Sequence, residues 1–162
     1  MSDKVTANVV LENTRIIFRN FAGLERKFNP AGERNFAVVV EDLELAKRLK
    51  KDGWNIKYFP EAEEGDIPNA YMKVKVKFGN NPPKIILVTK RGETRLTEDT
   101  IDALDYADIV NVDLIVRPYN WEVNNKIGVT AYVQDMWVVV QEDKFTEKYS
   151  DGAYFDEVSE EV

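Results

Sequence analysis

Alternate positions of the segment 70–78, AYMKVKVKF, carry two different chemistries. Met72, Val74, Val76 and Phe78 are apolar, whereas Tyr71, Lys73, Lys75 and Lys77 offer one aromatic ring and three ammonium groups. Successive side chains of an extended chain point to opposite faces, so these lysines would stand about 6.6–6.8 Å apart along one face. That interval is close to the phosphate spacing of an extended polynucleotide strand. The same pattern also suits a half-exposed strand whose lysines serve solubility or protect a sheet edge from pairing.

The segment 109–123, IVNVDLIVRPYNWEV, alternates in the same way. Val110, Val112, Leu114 and Val116 are expected to point inward, which leaves Ile115, Arg117, Tyr119 and Trp121 on the opposite face. Two aromatic rings and a guanidinium on one face make a platform on which bases stack while arginine reaches phosphate. Burial of both rings at the end of a core is the competing reading. Pro118 cannot donate to a ladder and places this part of the strand at an edge or a bulge. The segment 14–21, TRIIFRNF, repeats the theme, with Arg15, Ile17, Arg19 and Phe21 on one face and Ile16 and Phe18 on the other. Lys90, Arg91 and Arg95 surround Gly92 in what reads either as a mobile basic finger or as a solvated hairpin tip. Trp54 and Tyr58 share a face with Ile56 and are expected in the core, with Lys57 and Phe59 facing the other way.

The elements that must position these groups are mostly strands. Runs rich in Val, Ile, Phe, Tyr and Thr lie near 7–12, 14–21, 35–40, 54–59, 70–78 and 84–90, then across 109–123 and 127–141. Asp42 caps a helix over 43–52, with Leu45 and Leu49 one turn apart, lysines at the end and Gly53 as the stop. A second helix is expected over 98–106, capped by Thr97, with Ile101 and Leu104 inward. Asn124, Asn125 and Lys126 read as the turn of a long hairpin. Many short strands with one or two short helices predict a mainly β chain of the OB-fold Greek-key barrel type, with a β-sandwich as the alternative.

What the chain lacks narrows its chemistry. Its 162 residues include no histidine and no cysteine. The usual proton shuttle, the thiolate nucleophile and nearly every zinc site are thereby excluded. Neither catalysis nor a cofactor nor a metal is expected. The remaining enzymatic alternative is a carboxylate nuclease built from Asp108, Asp113, Glu122 and Lys126, but Asp113 and Glu122 fall on opposite faces of one strand. The acidic stretch with Glu61, Glu63, Glu64 and Asp66 has no calcium-loop pattern and reads as a solvated loop. No apolar run is long enough for a membrane helix, and the start MSDKVTANVV has no signal-peptide pattern. With cysteine absent as well, a cytoplasmic location is expected, without membrane partners.

A net charge of −7 argues against a polyanionic ligand only if the charge is evenly spread. It is not. The terminal stretch 151–162 holds Asp151, Asp156, Glu157, Glu160 and Glu161 and no basic residue; without these five, 24 of the 29 acidic residues face 22 basic ones. The chain therefore divides into a near-neutral domain over 1–145 and an acidic tail over 146–162, expected to be mobile. Such a tail, with Tyr154 and Phe155 embedded in it, would compete for a cationic groove at high effective concentration or recruit basic proteins; a merely solubilising end is the alternative.

The combination of IIFRNFAG, RNFAVVVED, the lysine strand and VDLIVRPYNWEVNNKIGVTAYVQDMWVVV resembles the single-stranded-DNA-binding proteins encoded by tailed bacteriophages. The resemblance spans about 7–142 and is strongest across RPYNWEV and GVTAYV. It implies an OB fold, sequence-independent single-strand binding in replication or recombination, a host-cytoplasmic location, and docking of replication or recombination proteins on the tail. The tail departs from the bacterial pattern, ending in Glu-Glu-Val without a terminal phenylalanine. The expected DNA-binding set is Arg15, Arg19, Tyr71, Lys73, Lys75, Lys77, Arg91, Arg117, Tyr119 and Trp121. A homo-oligomer is left open, as is a protein-interaction or structural β module without nucleic acid.

Overall fold

The two longest apolar alternations form one hairpin, and the rest of the fold is assembled around it. In the computed structural model, which describes residues 4–60 and 69–141, the described residues form nine strands. They are β1 (Val9–Thr14), β2 (Ile16–Asn20), β3 (Arg34–Val40), β4 (Ile56–Tyr58), β5 (Ala70–Val76), β6 (Lys84–Thr89), β7 (Gly92–Leu96), β8 (Ile109–Val123) and β9 (Lys126–Val140). Asn124 and Asn125 adopt φ of 51° and 67°, the paired left-handed conformation of the tight turn whose twist matches its strands. The helix α1 (Leu43–Asp52) keeps the expected bounds. Asp42 accepts from the N–H groups of Glu44 and Leu45, and Gly53, at φ 106°, ends the helix as only glycine does without strain.

Strand β9 is the spine. Along one side it pairs antiparallel with β8 over its whole length; along the other it pairs parallel with β5 at Ala131 and Tyr132, then with β6 from Asp135 to Val139. The register with β8 slips at Gln134, between Val133 and Asp135, so inward residues run 129, 131, 133 on one side of the bulge and 136, 138 on the other. Strand β5 shares its edges likewise: β3 pairs along one, while β4 and then β9 take turns along the other.

The hydrogen-bonded path runs β1-β8-β9-β5-β3-β2, and its terminal strands, β1 and β2, are not paired with each other. The sheet is therefore not closed into a barrel, and the expected Greek-key OB barrel is corrected to an open, branched, mainly β sheet with one α-helix. A barrel requires its first and last strands to bond to one another. Here β1 and β2 are successive pieces of one chain segment. The ladder with β8 is irregular between Leu11 and Thr14, Asn13 turns to φ 54°, and the chain then joins β3 at the far end of the path.

One apolar core lies under this sheet. Phe21, Phe36, Met72, Ile85, Ile101, Leu104, Leu114 and Met136 are fully buried, and the rings of Phe21 and Phe36 stack at 5.1 Å. Trp54 and Ile56 are buried as expected, with Tyr58 packed against the core. Two local expectations fail. The second helix is a single 3-10 stretch, Ile101–Asp105, without a side-chain cap: Thr97 and Thr100 bond to each other instead. Val110 is exposed, because the register shift between Ile109 and Asn111 turns it out of the inward row. The basic loop at 90–95 is the tip of a hairpin whose second arm, β7, is too polar to show in the apolar alternation.

Pro118 lies where expected. Strand β1 covers the outer edge of β8 only as far as Val116, so from Pro118 onward that edge has no strand partner among the described residues. Beyond it, Asn120 accepts from the Val5 N–H at 2.9 Å and donates to the Val5 carbonyl at 2.7 Å.

Candidate nucleic-acid interface

The lysine strand and the aromatic strand present their polar faces on the same side, joined by β9. In strand register, Asn35, Lys75, Tyr132 and Arg117 make one row across β3, β5, β9 and β8. The next pairs towards the hairpin turn are Tyr119 with Thr130 and Trp121 with Gly128. The Arg117 guanidinium lies 5.0 Å from the centre of the Tyr132 ring, and Tyr119 meets the same ring edge-on at 6.0 Å. Arginine stacked on an aromatic face keeps its outward N–H groups available for anions. Tyr132 belongs to this platform but not to the set expected from the sequence, although it alternates correctly with Val133 and Ala131.

Where β5 passes from β4 to β9, the two neighbours diverge and leave a groove of about 520 Å³. Its walls include Lys73 and Lys75 from β5, Lys50 at the end of α1, and Trp121 from the hairpin arm. The indole of Trp121 lies directly across Gly128, so closely that a Cβ there would overlap the ring. Glycine at 128 is what lets the ring lie flat against the arm. Tyr119 remains more than half exposed at 55% and Trp121 at 37%. Neither is a core residue.

At the far end of β5, Tyr71 packs against Phe59 at 4.5 Å and against Phe18 at 5.8 Å. Phe59 is on the side expected from its alternation with Tyr58, but parity alone does not bring Phe18 to this face. Phe18 has φ 53°, a left-handed conformation that is strained for a bulky side chain, and it turns the ring to 65% exposure beside Tyr71. Period-two reasoning cannot foresee this, because one left-handed residue reverses the alternation after it. Lys57, in register with Tyr71, adds a cation to this end.

Not every expected contact is available in the same way. Lys75 Nζ is 2.7 Å from Glu33 Oε1. That hydrogen bond holds the Glu33 carboxyl below its ordinary value; burial opposes the shift, and the charges of Lys75 and Lys73 reinforce it. Lys77 is exposed beside Gly79, Asn80, Asn81 and Arg117. Arg15 pairs with Glu41 at 3.7 Å, with both side chains mostly in solvent. Arg19 is structural: its Nη1 donates to the carbonyls of Leu104 and Ala107, both at 2.8 Å, and anchors the 3-10 stretch. Arg91 occupies the tip of the β6–β7 hairpin, beyond the Val88–Val139 pair, which places it roughly 25 Å along β9 from the Tyr132 row.

The tail residues Asp151, Tyr154, Phe155, Asp156, Glu157, Glu160 and Glu161 lie outside the described residues, as does the acidic stretch at 61–66. Among the described residues no group of three carboxylates converges to hold a metal ion, and Asp113 Oδ1 accepts from the Asn13 N–H at 2.8 Å. No described helix is long and apolar enough to cross a membrane.

Comparison with known proteins points in one direction. A family model described as "Putative phage ssDNA-binding domain" matches residues 1–162. No curated protein matches the chain in sequence. Among solved structures, the single-stranded DNA-binding protein from bacteriophage Enc34, truncated at its C-terminus, superposes with a TM-score of 0.53 at 11% identity, covering 88% of this chain and 98% of that one. The untruncated Enc34 protein gives 0.52 at 12% identity, covering 90% and 86%. The same protein in complex with ssDNA gives 0.50 at 13%, covering 85% and 89%. At such identities the likeness is one of fold.

Proposed function

This chain belongs to the phage ssDNA-binding domain family, and from that premise we propose that it binds single-stranded DNA without regard to sequence, along the face shared by β5, β9 and β8. The observation that carries the reading is the row of Lys75, Tyr132 and Arg117 across three strands, continued by Tyr119 and Trp121. Lys73, Lys77 and Arg117 neutralise phosphates, and Tyr71, Tyr119, Tyr132 and Trp121 stack bases. Every base has a π-face and every nucleotide a phosphate, so this set discriminates little among sequences. Arg15 joins at the Tyr71 end, a reading supported by its carbonyl accepting from the N–H of Val39, the register partner of Tyr71. Arg19 acts through the fold, and Arg91 meets only a strand that runs well beyond the groove.

The role is binding, not catalysis, within phage DNA replication or recombination in the host cytoplasm. Division into a binding domain over 1–145 and an acidic tail is part of the proposal. The tail competes for the groove and docks partner proteins, with Tyr154 and Phe155 as its apolar contacts. Fluorescence titration with oligothymidylate at two salt concentrations tests the reading. Trp121 emission should quench, and affinity should fall steeply with salt through counterion release. A chain truncated at residue 146 that binds no oligonucleotide at low salt would refute it.

A further inference from the structure

The connection between β2 and β3 spends buried polar groups on presenting one apolar ring to solvent. Arg26 and Asn29 exchange backbone hydrogen bonds of 2.8 and 3.1 Å, so Lys27 and Phe28 are the corner residues of a tight turn. Asn29 is buried and donates to the carbonyls of Leu24, Pro30 and Glu33. Asn20 clamps Leu24 through both its amide N–H and its carbonyl, and Asn35 donates to the Asn29 side chain. Three buried amides thus fix the loop, because each needs its partners once removed from water. Yet Phe28 at the corner is 85% exposed, preceded by Arg26 and by Lys27, whose ammonium is 5.4 Å from the ring centre.

An isolated exposed phenylalanine is ordinary on a protein surface. One at the corner of a fixed turn, with a lysine beside the ring and an arginine one residue further back, is a stacking group with its own phosphate ligands. The loop is also continuous with the proposed DNA face. Its returning limb, with Pro30, Gly32 and Glu33, borders a depression shared with Lys75, Lys77 and Tyr132. Asn35, which holds Asn29, is the register partner of Lys75.

We infer that the turn Arg26–Asn29 is a second binding station for single-stranded DNA, in which Phe28 stacks on a base after the strand leaves the sheet face and Arg26 and Lys27 hold its flanking phosphates. This rests on the single-strand reading of the sheet face, and it extends the site beyond the β-strands. A polyanion is favoured over an apolar protein partner because Lys27 lies beside the ring and the same turn carries Arg26.

The test uses the full chain, the variants Phe28→Ala and Phe28→Trp, and fluorescent oligothymidylates of about six and about twenty nucleotides, one near the low end of the usual site sizes of single-strand-binding domains and one above their upper end. Phe28→Ala should weaken binding of the longer strand by at least about five-fold, the low end for one lost stack, and leave the shorter one within about two-fold. Phe28→Trp should retain affinity and add a fluorophore that the longer strand quenches. Equal affinity of Phe28→Ala and the parent for the longer strand, with the parent binding normally, overturns the station alone. A parent chain that binds neither strand overturns the sheet reading and the station with it. Loss of self-association in Phe28→Ala, with DNA affinity intact, assigns the ring to contact between copies and overturns the inference.

Discussion

Replacing Glu33 with glutamine should tighten DNA binding while weakening the fold. Glu33 Oε1 lies 2.7 Å from Lys75 Nζ, and the two side chains are 27% and 33% exposed. A phosphate that takes Lys75 must displace this carboxylate, and a half-exposed ion pair is worth about 1 kcal/mol or less. Glu33→Gln should therefore tighten binding of oligothymidylate by about three- to five-fold at low salt, the equivalent of that energy. The slope of log K against log salt should steepen by about 0.7, one extra phosphate neutralised on a single strand. Thermal stability should move the other way, by about 1 kcal/mol at most. Anisotropy titrations across a salt series, paired with thermal melts, read both quantities. Unchanged affinity and slope would refute the idea that Glu33 holds the place of a phosphate. The pH dependence follows in sign. Because the folded carboxyl is held below its ordinary value, its stabilising contribution is complete above the unfolded value of about 4.3 and is lost as pH falls through the lowered folded value. Glu33→Gln should lack that part of the acid transition.

Four further outcomes are expected. Trp121→Ala should weaken oligonucleotide binding by about 1–3 kcal/mol in calorimetric titration, without a shift in melting temperature beyond about two degrees. Gly128→Ala should weaken binding in the same assay by displacing the Trp121 ring, and should reduce Trp121 quenching. Arg19→Ala should cost about 1.5–3 kcal/mol in denaturant unfolding, since two carbonyls lose a charged donor, and should leave the salt slope unchanged; Arg117→Ala should do the reverse. Truncation at residue 146 should tighten binding in the low-salt titration, and equal affinities would count against competition by the tail.

Much of the site is legible in the alternation of residue types along single strands. Lys73, Lys75 and Arg117 share one side because each lies in a strand segment whose opposite face is a row of buried apolar residues; Tyr119 and Trp121 continue the parity of Arg117 past Val116, where the opposite face turns polar at Asn120 and Glu122. The strand β9 between them supplies the coincidence of faces, and sequence periodicity within single strands carries no information about that neighbour. Parity misplaces Phe18 and Val110, where a left-handed residue or a register shift reverses it. Arg19 reads as a surface cation because nothing local predicts that carbonyls of residues 104 and 107 need donors. The open sheet is illegible for a related reason: composition identifies strands, but closure depends on whether the first pair of strands lies side by side or end to end.

The bare outer edge of β8 has a consequence for crowding on a long lattice of DNA. Copies bound next to one another are held at high local concentration, and a free strand edge is the usual template by which neighbours fuse into a continuous sheet. Pro118 removes a donor from that edge, and Asn120 fills the next stretch with an amide that imitates a strand's paired N–H and C=O toward Val5. The arm can thus remain extended while offering an adjacent molecule a ladder interrupted at Pro118 and obstructed at Asn120.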